Sequence, residues 1–194
     1  MRVGVLALQG DVAEHRATLD ALGVEAVDVR RPADLDSLAG LIMPGGESTA
    51  IAHLLGTSGL RSVLGERLET GLPVFGTCAG MILLASEVVD GRADQWCYSR
   101  LDIAVRRNGY GRQVASFETT LEVSGLGTVP GVFIRAPRVL SWGPHVEVLA
   151  SHDHGDGPVP VLVRQGSAWA SAFHPELTGD TRVHGLFVSS LTDR

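Results

Sequence analysis

Three short segments carry residue types that together could break an amide bond. Gly76-Thr77-Cys78-Ala79-Gly80 directly follows an apolar strand pattern and directly precedes an apolar helix pattern. This is a G-x-nucleophile-x-G turn with cysteine at its apex. Small flanking residues let the chain turn sharply, and the side chain is thrust outward at the strand's end. The helix behind it offers backbone N–H groups to an anion. The plainer alternative is a buried structural cysteine in a glycine-rich turn. A thiol nucleophile needs a base, and among 7 histidines His174, in Ala172-Phe173-His174-Pro175-Glu176, is best placed. It follows an apolar segment and should emerge at a strand end, where an α/β sheet collects its chemistry. Glu176 lies close enough to accept the other imidazole proton and hold the tautomer. The third segment is Met43-Pro44-Gly45-Gly46-Glu47-Ser48. Its two glycines let the backbone approach a ligand, so that Gly46 and Ala79 together could supply the N–H pair of an oxyanion hole. Ser48 also reads as the N-cap of a following helix.

Composition narrows the chemistry further. All 16 basic residues are arginine, and no lysine occurs in the 194 residues. Schiff-base catalysis and a Walker-type phosphate loop are thereby excluded, since both need a lysine amine. The formal net charge of −6 argues against nucleic-acid binding. Two cysteines, Cys78 and Cys97, make no disulfide framework in a chain this long. The opening apolar run, ending at Leu8, is too short for a signal segment or a membrane span. A cytoplasmic location is the expectation.

The elements that must hold these residues can be read from periodicity. Val3-Leu8, Glu25-Arg30, Leu41-Met43 and Leu72-Gly76 read as strands. Helices are expected after Asp11, which can cap one carrying Val12, Leu19 and Leu22, over Leu60-Glu69, and over Met81-Ser86. This order predicts an α/β fold of three layers, a mostly parallel central sheet flanked by helices. The second half has short alternating segments at Val114-Phe117, Gly131-Ile134, Val146-Ala150, Val159-Arg164 and Ala168-Phe173. They are expected to add strands, some antiparallel, to the same sheet. Asp180-Leu191 should close the chain as a helix with Val183, Leu186 and Phe187 inward. Residues 88–100 have the weakest pattern and read as a loose loop. Ser151-His152-Asp153-His154-Gly155-Asp156-Gly157 invites a metal-site reading, but adjacent loop residues diverge and no distant ligand joins them. A solvated hairpin loop is the better expectation. Residues 1–194 are expected to form one domain, with no cofactor and no metal.

The three chemical segments, in this order and spacing, resemble the triad-type (class I) glutamine amidotransferases. The resemblance sharpens with Val5-Leu6-Ala7-Leu8-Gln9-Gly10-Asp11 and Glu14-His15, with Pro44-Gly45-Gly46-Glu47-Ser48-Thr49, and with Gly76-Thr77-Cys78-Ala79-Gly80-Met81-Ile82-Leu83-Leu84-Ala85. Arg107-Asn108-Gly109-Tyr110-Gly111-Arg112-Gln113, Phe133-Ile134-Arg135-Ala136-Pro137 and Phe173-His174-Pro175-Glu176-Leu177-Thr178 extend it to nearly the whole chain. Together these blocks are similar to the glutaminase subunits of pyridoxal 5'-phosphate synthase. Val88-Arg100 departs from the pattern, and Cys97 within it reads as a bystander.

The resemblance implies a class I amidotransferase-like fold, with Cys78 as nucleophile, His174 as base and acid, and Glu176 as orienting partner. It implies glutamine contacts at Gly46, Glu47, Ser48, Arg107, Ile134 and Arg135. Either arginine could serve the substrate carboxylate. His15 belongs to one of these blocks without an implied catalytic role, and a helix-surface or partner-contact role is the expectation. The implied reaction releases ammonia from L-glutamine for vitamin B6 synthesis, in a large ring assembly with a synthase subunit. Another amidotransferase, a γ-glutamyl hydrolase, or a non-catalytic regulatory subunit are the competing readings; the intact Cys78, His174 and Glu176 argue against the last.

Overall fold

The computed structural model describes residues 1–91, 95–110 and 116–192. In chain order the first half contains β1 (Arg2–Leu6), α1 (Val12–Ala21), β2 (Glu25–Val29), β3 (Gly40–Met43), α2 (Ser48–Thr57) and α3 (Leu60–Glu69). β4 (Val74–Thr77), α4 (Ala79–Leu84), β5 (Ala85–Val88) and β6 (Leu101–Arg106) follow. Then come β7 (Ser116–Val123), β8 (Gly127–Ile134), β9 (Arg138–Trp142), β10 (Glu147–Asp153), β11 (Pro158–Gln165), β12 (Ala168–Ser171) and α5 (Arg182–Ser189).

Seven strands form the main sheet in the order β10-β11-β12-β4-β3-β1-β2. β2, β1, β3, β4 and β12 run parallel, and β11 and β10 are added antiparallel at one edge. β3, β4 and β12 are buried along their whole length, as strands covered on both faces must be. On β4 the ring of Phe75 packs 5.7 Å from that of Phe187 in α5. The next residue, Gly76, faces Gly80 and Leu84 of α4. Successive strand residues point to opposite faces, so α4 and α5 cover opposite sides and the fold has three layers.

The second half departs from expectation in one respect. Only β10, β11 and β12 join the main sheet; β5-β6-β9 and β7-β8 form separate small sheets. β6 shows why. Leu101, Ile103 and Val105 are buried while Asp102 and Arg106 are exposed, the alternation of a strand with one wet face. Such a strand packs on one face only, unlike the central β3, β4 and β12. β5, β6 and β9 were also not marked by the sequence as individual strands.

Other differences are local. In the expected loose loop, residues 92–94 lie outside the described residues, but 95–100 are packed. Tyr98 and Arg100 donate backbone hydrogen bonds to Leu83 and Leu84, and the Arg61 guanidinium stacks 4.1 Å from the Trp96 ring. Of the expected strand Val114-Phe117, residues 114–115 lie outside the described residues, as do 111–113 of the block around Tyr110. The Ser151–Gly157 segment is a hairpin tip. Asp153 Oδ1 accepts from the N–H groups of Gly155 and Gly157, Asp156 pairs with Arg138 at 2.8 Å, and His152 and His154 pack on Phe117. The closing helix is shorter than expected, with Val183 and Phe187 buried, Leu186 half-buried and His184 unexpectedly buried as well.

Candidate active site

β3, β4 and β12 are neighbours, and all three end at the same edge. Met43 pairs with Gly76 and Ser171 with Thr77, so the segments leaving these strands start side by side. That juxtaposition brings Gly45-Gly46, Cys78 and His174 together, at the carboxyl ends where parallel sheets place their sites. β1 lies beside β3 and delivers Gln9 and Asp11 to the same edge.

The turn at Cys78 is as tight as its sequence suggests. Cys78 adopts φ 49°, a conformation L-residues rarely take and one typical of strained functional positions. A Cβ on Gly76 would come within 2.6 Å of the Gly80 backbone, and one on Gly80 within 2.2 Å of the Met43 carbonyl oxygen. Both glycines are therefore required by close backbone approach. The Cys78 N–H donates to the Ser171 carbonyl at 2.8 Å, locking the turn to β12. Cys78 is buried, and its Sγ lies 3.9 Å from the Ile134 carbonyl oxygen. Ala79 opens α4 immediately behind it.

His174 is held at Nδ1 by two carboxylates. Its Nδ1 lies 2.8 Å from Glu176 Oε1 and 3.2 Å from Asp11 Oδ2. Glu176 sits in a short 3-10 turn, Pro175–Leu177, and is buried. Nε2 is buried and makes no hydrogen bond among the described residues. Burial opposes charge on the ring, but Asp11, the adjacent Cys78 thiol and Glu176 outweigh it and raise the His174 pKa above an ordinary imidazole's. Burial raises the Glu176 carboxyl, against the lowering effect of its bond to His174. A ring with Nδ1 held and Nε2 unengaged suits proton exchange with a neighbouring thiol. Asp11 was expected to cap α1. Its side chain makes no capping bond and instead reaches His174. Its place at the end of β1, next to β3, was the signal for this that periodicity alone did not exploit.

A cleft of about 280 Å³ opens on these groups, lined by Gly46, Glu47, Ser48, Cys78, Arg107, Asn108, Ile134, Arg135 and His174 together with Gln9, Asp11 and Ile82. Grooves of about 620 and 520 Å³ run along α2 and α3 but contain none of Cys78, His174 or Glu176. The smaller cleft is the one onto which Cys78 and His174 open. Every expected glutamine contact lines it. Glu47, not Ser48, is the N-cap of α2: its carboxylate accepts from the N–H groups of Thr49 at 3.0 Å and Ala50 at 2.7 Å. Burial works against charge on Glu47, but those N–H groups and Arg107 hold its pKa below the ordinary value. Arg107 pairs with Glu47 at 3.1 Å and reaches Thr49 Oγ1 at 3.3 Å, while Arg135 is exposed at the rim with φ 45°. The Ser48 hydroxyl is buried without a hydrogen-bond partner among the described residues. Gln9, which no composition or spacing argument singled out, accepts from the Glu47 N–H at 2.8 Å and holds the loop from below. Cys97 donates to the Ile82 carbonyl, and burial pushes its thiol up to about 11, which leaves it inert beside Cys78.

Residues 5–193 match the SNO glutamine amidotransferase family. The chain is a member of that family. It is 57% identical over 187 residues to "Pyridoxal 5'-phosphate synthase subunit PdxT" of Mycobacteroides abscessus, covering 96% of this chain and 95% of that protein. A protein of the same name from a Nocardioides species is 53% identical, over 98% and 96% of the two chains. A crystal structure of a glutamine amidotransferase superposes with a TM-score of 0.90 at 52% identity, covering 97% of this chain and 98% of that one. PurLQS from Thermotoga maritima, 16% identical over 98% of each chain, shares the fold with a TM-score of 0.72. Among the described residues of this SNO amidotransferase, no helix is long and apolar enough to cross a membrane.

Behind Cys78, His174 and Glu176 lie two further imidazoles. His15, expected on the surface of α1 or against a partner, is fully buried, and so is His184 of α5. Their nitrogens meet at 2.9 Å. The helical pattern of α1 gave no warning, because His15 lies among the polar residues of a weakly patterned helix. Burial pushes His184 down to about 4, while an unfolded imidazole titrates near ~6.5. Between these values the unfolded chain binds the proton more readily, so stability is complete above about pH 6.5 and falls as pH drops towards 4. The total is on the order of 3 kcal/mol for so buried a group. Urea unfolding between pH 7 and 4.5 should therefore lose stability more steeply in the wild type than in His184→Gln. Parallel curves would contradict a neutral, buried His184.

Proposed function

We propose that this chain hydrolyses L-glutamine to L-glutamate and ammonia through a Cys78 thioester, and passes the ammonia to a pyridoxal 5'-phosphate synthase subunit. The observation that carries the proposal is Cys78 on a strained turn beside His174, whose Nδ1 is held by buried Glu176 and whose Nε2 is unengaged. The names of the relatives supply the pathway, and the cleft supplies the chemistry.

In this reading His174 Nε2 takes the Cys78 proton and Sγ attacks the side-chain carbonyl of glutamine. The N–H groups of Ala79 and Gly46 receive the oxyanion. His174 then protonates the departing nitrogen, and ammonia leaves a glutamyl thioester. Water, deprotonated by His174, cleaves that thioester, releasing glutamate and restoring the thiol. Glutamine also presents a carboxylate and an ammonium. We assign the former to Arg107 and Arg135, and the latter to Glu47 and the unpartnered Ser48 hydroxyl, with the Ile134 backbone alongside.

Ammonia released into water near neutral pH is protonated and ceases to be a nucleophile, so it must travel by an enclosed path. With no lysine, this chain cannot hold a sugar phosphate as an imine. The acceptor chemistry therefore belongs to a separate synthase subunit. We take residues 1–194 as one glutaminase domain, cytoplasmic, docked on a ring of such subunits. Its main sheet draws strands from both ends of the chain, in keeping with one domain. Ammonia release from glutamine, measured with and without the cognate synthase subunit, tests this. Activity should be low alone and should rise by about 10²-fold or more on docking, the scale of one oxyanion donor being brought into place. Equal activity with and without the synthase would rule out coupling. No glutamate release in either case would overturn the glutaminase reading.

A further inference from the structure

The buried His15 makes contacts that nothing in the triad mechanism uses. Its Nε2 lies 3.2 Å from Thr77 Oγ1 and 3.5 Å from Glu176 Oε1, and its Nδ1 lies 2.9 Å from His184 Nε2. Thr77 Oγ1 in turn accepts from the Gly45 N–H at 2.9 Å. His15, Thr77 and His184 are each fully buried, and none lines the cleft. Burying imidazoles costs free energy unless they are hydrogen-bonded, and an apolar side chain would fill the same space without that cost.

The direction of these bonds follows from the groups present. Glu176 Oε2 is buried without a partner, so the carboxylate depends on donors at Oε1, and His174 is one. A proton on His15 Nε2 faces the Thr77 oxygen at 3.2 Å, with Glu176 Oε1 3.5 Å away. His15 Nδ1 then accepts from His184 Nε2–H, and His184 Nδ1 is an acceptor without a partner. The opposite tautomer would aim a lone pair at the carboxylate and leave the His184 Nδ1–H without a partner. Burial, aided by His184 and His174, lowers the His15 pKa well below the usual value, so the ring stays neutral in this role.

We infer that His15 is a positioning residue that joins the two halves of the catalytic apparatus. From one ring nitrogen it bonds Thr77, whose hydroxyl anchors the Gly45 end of the loop assigned to the oxyanion, and it backs the Glu176 carboxylate, which orients His174. His184 fixes the tautomer that makes this possible. The inference rests on the glutaminase reading for its effect on turnover, but the geometry it describes is a property of the chain itself.

The test uses the full chain with its synthase subunit and four variants. Thr77→Val removes the hydroxyl at constant volume, and Thr77→Ser keeps it. His15→Leu removes both ring contacts, and His15→Gln keeps a donor near the Nε2 position. kcat and KM for glutamine are measured, together with the rate of Cys78 alkylation by iodoacetamide, read on the Cys78 peptide. Because a misplacement of about 1 Å can cost up to about 10²-fold, Thr77→Val and His15→Leu should each lower kcat by about 10- to 10²-fold with KM within about threefold. Thr77→Ser and His15→Gln should recover most of that loss. The double variant His15→Leu, Thr77→Val should be no worse than about threefold below the worse single variant, since the two residues act as a unit. Unchanged kcat in folded Thr77→Val and His15→Leu overturns the inference, whatever happens to thermal stability. So do losses that multiply in the double variant. If His15→Leu fails to fold, the Thr77 pair decides by the same criteria. If the wild type releases no ammonia from glutamine, the glutaminase reading falls separately. The alkylation rates then decide: equal rates in the wild type, His15→Leu and Thr77→Val overturn the positioning role.

Discussion

Cys78→Ala should release no glutamate from glutamine above the uncatalysed background, even with the synthase subunit present. The loss expected is on the order of 10⁶-fold, as when a nucleophile is removed from a triad whose members act as a unit. Alanine keeps the Cβ and the left-handed backbone turn at φ 49°, so the fold and the binding of glutamine should survive. The variant should therefore still bind glutamine by calorimetry while failing to turn it over. That combination separates loss of the nucleophile from loss of the site. A Cys78→Ala protein that still produces glutamate at a measurable fraction of the wild-type rate would remove the thioester from the mechanism.

Gly45→Ala should be nearly as damaging, although it adds only one methyl group and touches no reacting atom. A Cβ at position 45 would stand 2.3 Å from His174 Cε1, 2.9 Å from Nδ1 and 3.0 Å from Asp11 Oδ2. His174 cannot swing away freely, because Glu176 and Asp11 both hold Nδ1 and the ring is almost wholly buried. Either the imidazole leaves its line to Cys78 or the Gly45-Gly46 loop is pushed out of place. Each displacement is expected to cost at least about 10²-fold in kcat. The overpacking itself should cost about 1–3 kcal/mol of stability, small enough to leave a folded protein. Steady-state kinetics on the purified complex, with a melting curve alongside, checks both parts. A kcat within about fivefold of wild type would show that the ring and the loop are less tightly coupled than their contacts imply.

The two variants probe different levels of the same site. In the proposed mechanism Cys78 acts through its own sulfur, whereas Gly45 acts by what it lacks. The loop it belongs to is gripped on several sides: Gln9 accepts from Glu47, Thr77 accepts from Gly45, and the Gly45 carbonyl accepts from the Asp11 N–H at 3.3 Å. This density of holds explains why a site built from short, mostly small residues can keep catalytic geometry. Preorganised donors act without rearranging during the reaction, and they do so only if something rigid holds them.

Much of this arrangement is legible along the chain. The turn around Cys78 announces itself because its demands are local: two backbone approaches under 3 Å exclude any side chain at Gly76 and Gly80, and that exclusion is written as glycine. The parallel strands are legible for a similar reason, since a strand covered on both faces must be apolar throughout. Helix α3 matches its pattern end to end. The small sheets were misplaced because alternation reports one buried face without saying which neighbour buries it. Ser48 was mistaken for a cap because its hydroxyl suits the role, whereas Glu47, one residue earlier, carries out the capping.

His15, Asp11 and His184 mark the limit. Each lies in a segment whose own pattern suggests a solvent face or a cap. Their partners stand 62 to 169 residues away in the case of His15. The sequence by itself pointed to Cys78, His174 and Glu176 as nucleophile, base and carboxylate and marked the five parallel strands, because those depend on spacing within short segments. Tertiary structure alone decided which strand ends became neighbours. It thereby placed a second carboxylate on His174 and a buried imidazole behind Glu176, since such contacts arise from packing between distant elements and leave no local signature.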